Sequence, residues 1–144
     1  MFIDASAIIA VLAEEADARQ IVAKLDGATT IICSPLVRYE VVLGLARARW
    51  TALHGADLPM SAEFVAQIAT IVDGFLGELG VIEQNVTTEI GTEAIRAAGK
   101  YGRGTGHPAK LNFGDCYSYA AAKISGLPLL FKGNDFIHTD IEAA

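Results

Sequence analysis

The period of apolar and polar positions changes several times along the chain, and each change marks an element. Phe2-Ile3 is a short apolar run ended by Asp4, and Ser6 then caps a helical pattern through Ile8, Ile9 and Leu12. A second amphipathic helix is predicted from about Ala16 to Leu25, with Ile21, Val22 and Leu25 on one face and Gly27 closing it. Thr30-Ile31-Ile32-Cys33 is short, β-branched and apolar, as buried parallel strands tend to be. Ser34-Pro35 supplies an N-cap and a proline at the first helical position, which opens a helix to about Trp50. Gly55 and Pro59 mark residues 51–60 as a loop, Ser61 caps a helix through Leu79, and Val81-Ile82 is a third strand.

A further helix, from about Thr88 to Lys100, gives way to a loop containing Gly102, Gly104, Gly106 and Pro108. Gly114-Asp115 opens a helix from about Cys116 to Ser125, terminated by Gly126, and Pro128-Leu129-Leu130-Phe131 is a fourth strand ending at Gly133. Short apolar strands alternating with helices form the βαβ pattern, which implies an α/β fold: a parallel sheet with helices on both faces. No repeat or low-complexity linker divides the chain, so residues 1–144 are expected to form one domain. The apolar run Ala5 to Ala13 has no basic residue before it and is too short to span a bilayer, so it is read as folded structure, with no membrane partner.

Hydrophobic residues make up 52% of the chain and charged residues 19%, which excludes a disordered tail or linker. A net charge of -6 argues against attachment to nucleic acid by overall charge. The charge is uneven: residues 51–95 carry seven acidic and no basic side chains, whereas 96–132 carry six basic and one acidic. Cys33 and Cys116 show no CxxC spacing, so a reduced, cytoplasmic setting is expected. His54, His107 and His138 lack metal-ligand spacing, the Gly102–Gly106 stretch lacks the context of a nucleotide loop, and no serine sits in a GxSxG elbow.

In open parallel α/β sheets, ligands bind beyond the carboxyl ends of the strands. Asp4 follows the first strand, Asp135 follows the fourth, Asp115 opens the helix before it, and Glu40 interrupts the apolar stripe of Leu36, Val37, Leu43 and Gly44. Each acid has an ordinary explanation when taken alone. Asp4 and Asp115 suit helix N-termini, Asp135 suits a turn, and Glu40 reaches water or pairs with Arg47. Gly44, one turn after Glu40, leaves room for another backbone. Carboxylates gathered at one place repel unless protons or a cation stand between them, and an all-oxygen set suits a hard ion such as Mg²⁺ or Mn²⁺. A site of that kind suits phosphodiester hydrolysis.

Taken in order, Asp4-x-Ser6, Glu40 in a Ser-Pro helix, Asn112-Phe113-Gly114-Asp115-Cys116 and Leu130-Phe131-Lys132-Gly133-Asn134-Asp135-Phe136 resemble the PIN-domain proteins. More specifically, they resemble the VapC toxin ribonucleases of VapBC toxin–antitoxin pairs. The resemblance covers essentially the whole chain; Asn112 to Asp135 is its specific part and Asp4-x-Ser6 its weakest. It implies a PIN-like three-layer fold with a central parallel sheet of four to five strands, and a Mg²⁺- or Mn²⁺-dependent endoribonuclease that leaves 3'-hydroxyl and 5'-phosphate ends. Asp4, Glu40 and Asp115 match the acidic core of that family's site and Asp135 its more variable fourth acid, with Asp140 close by as an alternative.

By the same resemblance Ser6 supports the first aspartate and Asn134 orients a metal-bound water. The expected partners are an RNA substrate, a second copy in a homodimer, and a VapB-type antitoxin through which alone promoter DNA is bound. Arg96, Lys100, Arg103 and Lys110, within the basic stretch, are candidates to hold the RNA backbone. Two other readings compete: a non-catalytic PIN-like interaction module, and a nuclease of the same fold acting on DNA or flap structures.

Overall fold

The computed structural model describes all residues from Met1 to Ala144. The sheet holds four short strands, β1 (Phe2–Ile3), β2 (Ile32–Cys33), β3 (Ile82–Glu83) and β4 (Leu129–Leu130), all parallel in the order β3-β2-β1-β4. Phe2 stands opposite both Ile32 and Leu129, so the first strand in the chain is an inner strand of the sheet. Successive strand side chains point to opposite faces, and Phe2, Ile3, Leu129 and Leu130 are all buried, so both faces are covered. At the β4 edge the chain returns to form a single bridge, Leu129 with Ala143, which blunts that edge.

Two helices fill each crossover. These are α1 (Ala5–Leu12) and α2 (Ala18–Asp26), α3 (Pro35–His54) and α4 (Ala62–Glu78), and α5 (Thr88–Tyr101) and α6 (Phe113–Ser125). Ser34 and Ser61 cap α3 and α4 as expected, accepting the N–H of Val37 and Phe64 at 3.3 and 3.2 Å. The α3 helix runs four residues past Trp50, until Gly55 turns the backbone at φ 85°. No helix is long and apolar enough to cross a membrane.

Several expectations require correction. The cap of α1 is Asp4, not Ser6: the Asp4 carboxylate accepts the Ser6 N–H at 2.9 Å, which leaves Ser6 inside the helix. The α2 helix begins two residues later than expected and turns Val22 toward solvent while Ile21 and Leu25 are buried. The third strand lies one residue later, at Ile82–Glu83, and both of its residues are exposed. The α6 helix starts at Phe113, three residues before Cys116, because Asn112 and Asp115 cap each other: Asp115 N–H donates to Asn112 Oδ1 at 3.0 Å and Asn112 N–H to Asp115 Oδ2 at 2.6 Å. Gly44 admits a side chain, not a backbone, since a Cβ there would stand 2.9 Å from Ile9 Cδ1.

Candidate active site

Beyond the carboxyl ends of the strands lies a groove of about 500 Å³, lined by Asp4, Ser6, Tyr39, Glu40, Arg47, Asn112, Asp115 and Asp135 among others. The four acids singled out from the sequence therefore face one space, although they come from the end of β1, from α3, from the start of α6 and from the segment after β4. Asp4 is buried and held rigidly, because Ser6 Oγ donates to its Oδ2 at 2.6 Å while accepting the Lys132 N–H at 3.0 Å. The backbone after β4 thus fixes the acid after β1 through one hydroxyl. Asp115 is buried at the first turn of α6, with Oδ2 committed to Asn112.

Glu40 makes no hydrogen bond and no ion pair; in particular it does not pair with Arg47. It stands against Gly114, where a Cβ would overlap its carboxylate. Glycine at 114 is what lets the start of α6 close on α3, a relation no spacing in the sequence reveals. Burial, then the neighbouring Asp4 and Asp115, push the Glu40 carboxyl up to about 7. Burial also raises Asp115 to about 6, with Asp4 and Asp135 adding to the rise and the Asn112 N–H and Arg103 opposing it.

The remaining expected residues divide clearly. Asp135 lines the groove, whereas Asp140 is engaged elsewhere, accepting from Tyr119 Oη at 2.5 Å and pairing with Lys123 at 3.4 Å and Lys100 at 3.6 Å. Asn134 is exposed and does not line the groove. Nor do the four basic candidates: Arg96 pairs with Glu93, Lys100 with Asp140, and Arg103 Nε donates to the carbonyl of Lys110. Lys132 pairs with Glu15 and Asp17, away from the groove. Tyr39 and Arg47 line the groove without having been sequence candidates; their exposed positions on the face of α3 that bears Glu40 carried no signal by themselves.

The donor set fits a hard divalent cation. One oxygen each of Asp4 and Asp115 and both of Glu40 lack a protein donor, no Lys or Arg pairs with any of the four acids, and every candidate ligand atom is oxygen. These acids do not form a closed cage of three or more metal-ligating side chains.

A family model described as the PIN domain matches residues 1–142. The chain belongs to the PIN-domain family. Within it, the chain is 42% identical to a VapC ribonuclease of Rhizobium meliloti, over 97% of this chain and 98% of that protein. It is 36% identical to ribonuclease VapC42 of Mycobacterium tuberculosis, over 100% and 98% of the two chains. Among solved structures, VapC20 of Mycobacterium tuberculosis, described as a sarcin-ricin loop cleaving toxin, aligns over 99% of this chain and 97% of its own. That match has a TM-score of 0.67 at 15% identity, and it shares the PIN fold.

The raised carboxyls give this PIN domain a signed pH dependence. Both groups bind protons more tightly folded than unfolded, so their contribution to stability is fully present below about pH 4 and is lost as pH rises through about 6 to 7. The metal-free chain is expected to melt several degrees lower at pH 8 than at pH 5.5, on the order of 2 kcal/mol after screening by water in the open groove. Added Mg²⁺ should narrow that gap, because ion binding favours the ionised acids. Calorimetry across this range, with and without the ion, checks it; a gap that Mg²⁺ leaves unchanged would separate the acids from ion binding.

Proposed function

We propose that this chain is the toxin of a type II toxin–antitoxin pair, a divalent-metal-dependent endoribonuclease of the VapC kind. The observation that carries the reading is the convergence of Asp4, Glu40, Asp115 and Asp135 on one groove, in a chain similar over its whole length to VapC ribonucleases. A bound Mg²⁺ or Mn²⁺ would polarise a phosphoryl oxygen, ionise water and stabilise the leaving oxygen.

Asp4, Glu40 and Asp115 would hold the ion. Ser6, locked between Asp4 and the Lys132 backbone, keeps the first carboxylate from turning away. The Asn112–Asp115 cap does the same for the third, leaving its other oxygen free to bind. Asp135, exposed and lining the same groove, would act on the ion through water. The partners proposed with this reading are an RNA substrate, a VapB-type antitoxin, promoter DNA only through that antitoxin, and a second copy of the chain.

The test uses the purified chain freed of any co-purifying antitoxin, on single-stranded RNA and DNA side by side. Cleavage of RNA with Mn²⁺, stopped by EDTA and lost in Asp4→Ala, is the expected result. Equal inertness of wild type and Asp4→Ala would favour an interaction module, and a clear preference for DNA would sink the toxin assignment. Light scattering on the same sample reads the mass, where a monomer would contradict the homodimer.

A further inference from the structure

An anionic polymer approaching four carboxylates needs something to hold it, and the basic stretch does not line the groove. Of the chain's eleven Lys and Arg side chains, eight are engaged by a carboxylate or a carbonyl of the protein. Arg19, Arg47 and Lys110 are not. Of these three, Arg47 alone lines the acidic groove, exposed, seven residues and so about 10 Å along α3 from Glu40. At that distance it does not neutralise Glu40, and its guanidinium fork is free for an outside anion.

Tyr39, beside Glu40 on the same helix, lines the groove and is 59% exposed. A tyrosine ring left open to water at the rim of a charged groove offers a flat apolar face, which suits a nucleobase. The two residues flank Glu40 along one helix, so a strand laid on α3 meets a cation and an aromatic ring as it passes the acids.

Building on the ribonuclease reading, we propose that α3 carries the RNA-holding side chains of this site, Arg47 gripping a phosphate other than the one being cut and Tyr39 stacking on a base. Arg47 supplies a planar, multi-donor fork that matches a phosphate. Tyr39 contributes stacking that any base can accept, so it sets affinity more than sequence preference.

The test measures binding of a short fluorescein-labelled single-stranded RNA of mixed sequence by anisotropy, with Ca²⁺ in an Asp4→Asn background. Cleavage of the same RNA is followed with Mn²⁺ in the otherwise wild-type chain. Arg47→Ala is expected to weaken binding and raise KM about tenfold with a much smaller change in kcat. It should also reduce the slope of log Kd against log salt by about 0.7, the share of one phosphate on a single strand. Arg47→Lys should restore that slope but only part of the affinity. Tyr39→Ala should weaken binding about fivefold or more, and Tyr39→Phe should match wild type.

Arg19→Ala, an unpaired cation outside the groove, should change neither quantity. A wild type that cuts RNA while Arg47→Ala and Tyr39→Ala keep KM and the salt slope would overturn this assignment and leave the ribonuclease reading standing. If only one residue fails, its half of the assignment is overturned. A wild type that neither binds nor cuts RNA would overturn both readings. Loss of antitoxin binding alone in Arg47→Ala would move that residue to a protein interface and overturn its role on RNA.

Discussion

Glu40→Gln is expected to lower the RNA cleavage rate on the order of 10²–10³-fold while raising the melting temperature of the metal-free chain at pH 8. The two effects share one cause. Glu40 accepts no hydrogen bond, and its carboxyl is pushed up to about 7 by burial and then by Asp4 and Asp115, so its charge is a burden on the empty fold. Gln keeps the shape and removes the charge, which relieves that burden and removes an ion ligand at the same time. At pH 4, where Glu40 is largely protonated in the folded and unfolded chain alike, the two proteins should melt nearly together. Calorimetry at both pH values beside a cleavage assay checks this, and a variant that melts lower at pH 8 would contradict the electrostatic account.

Gly114→Ala should separate position from stability more sharply. The added Cβ would overlap the Glu40 carboxylate, but that carboxylate is the free end of a flexible side chain and can swing aside. Overpacking of about 1–3 kcal/mol is therefore at its low end, and is partly offset by the better helix propensity of alanine, up to about 1 kcal/mol. Folding should change little. Activity should fall about 10²-fold, because an ångström of misplacement at a reacting centre costs about that much. The decisive comparison is the double variant: with Glu40→Gln already present, Gly114→Ala should cost almost no further activity. Additive losses would mean that Gly114 acts by some route other than Glu40.

The order of strands and helices was legible because the hydrophobic period switches at each boundary and Ser34, Ser61 and Gly126 mark ends chemically. The errors fell where two capping residues compete within a few positions. In Asp4-Ala5-Ser6 both acid and hydroxyl can cap, and the acid does so, with the hydroxyl bracing it. At Asn112-Phe113-Gly114-Asp115 the spacing of a reciprocal cap was present, but Gly114 drew the helix start too far along. The acids of the groove could be anticipated from their places at strand ends, which topology brings together. The contact between Glu40 and Gly114 could not, since it depends on how α3 and α6 meet. The surroundings of the basic stretch were illegible for a different reason: a local charge count sees only chain neighbours, whereas Glu93, Glu15 and Asp140, from outside that stretch, pair with Arg96, Lys100, Lys123 and Lys132.

The place of β1 in the sheet bears on when such a protein can act. Phe2 and Ile3 are made long before Leu129 and Leu130, with which they pair on one side. Asp4 gains its brace only when Lys132 arrives, and Asp135 follows three residues later. A nascent or prematurely terminated chain that stops short of β4 leaves its inner strand half paired and its groove without two of the groups that shape it. The groove is therefore complete only once β4 and the residues after it have been made, by topology alone.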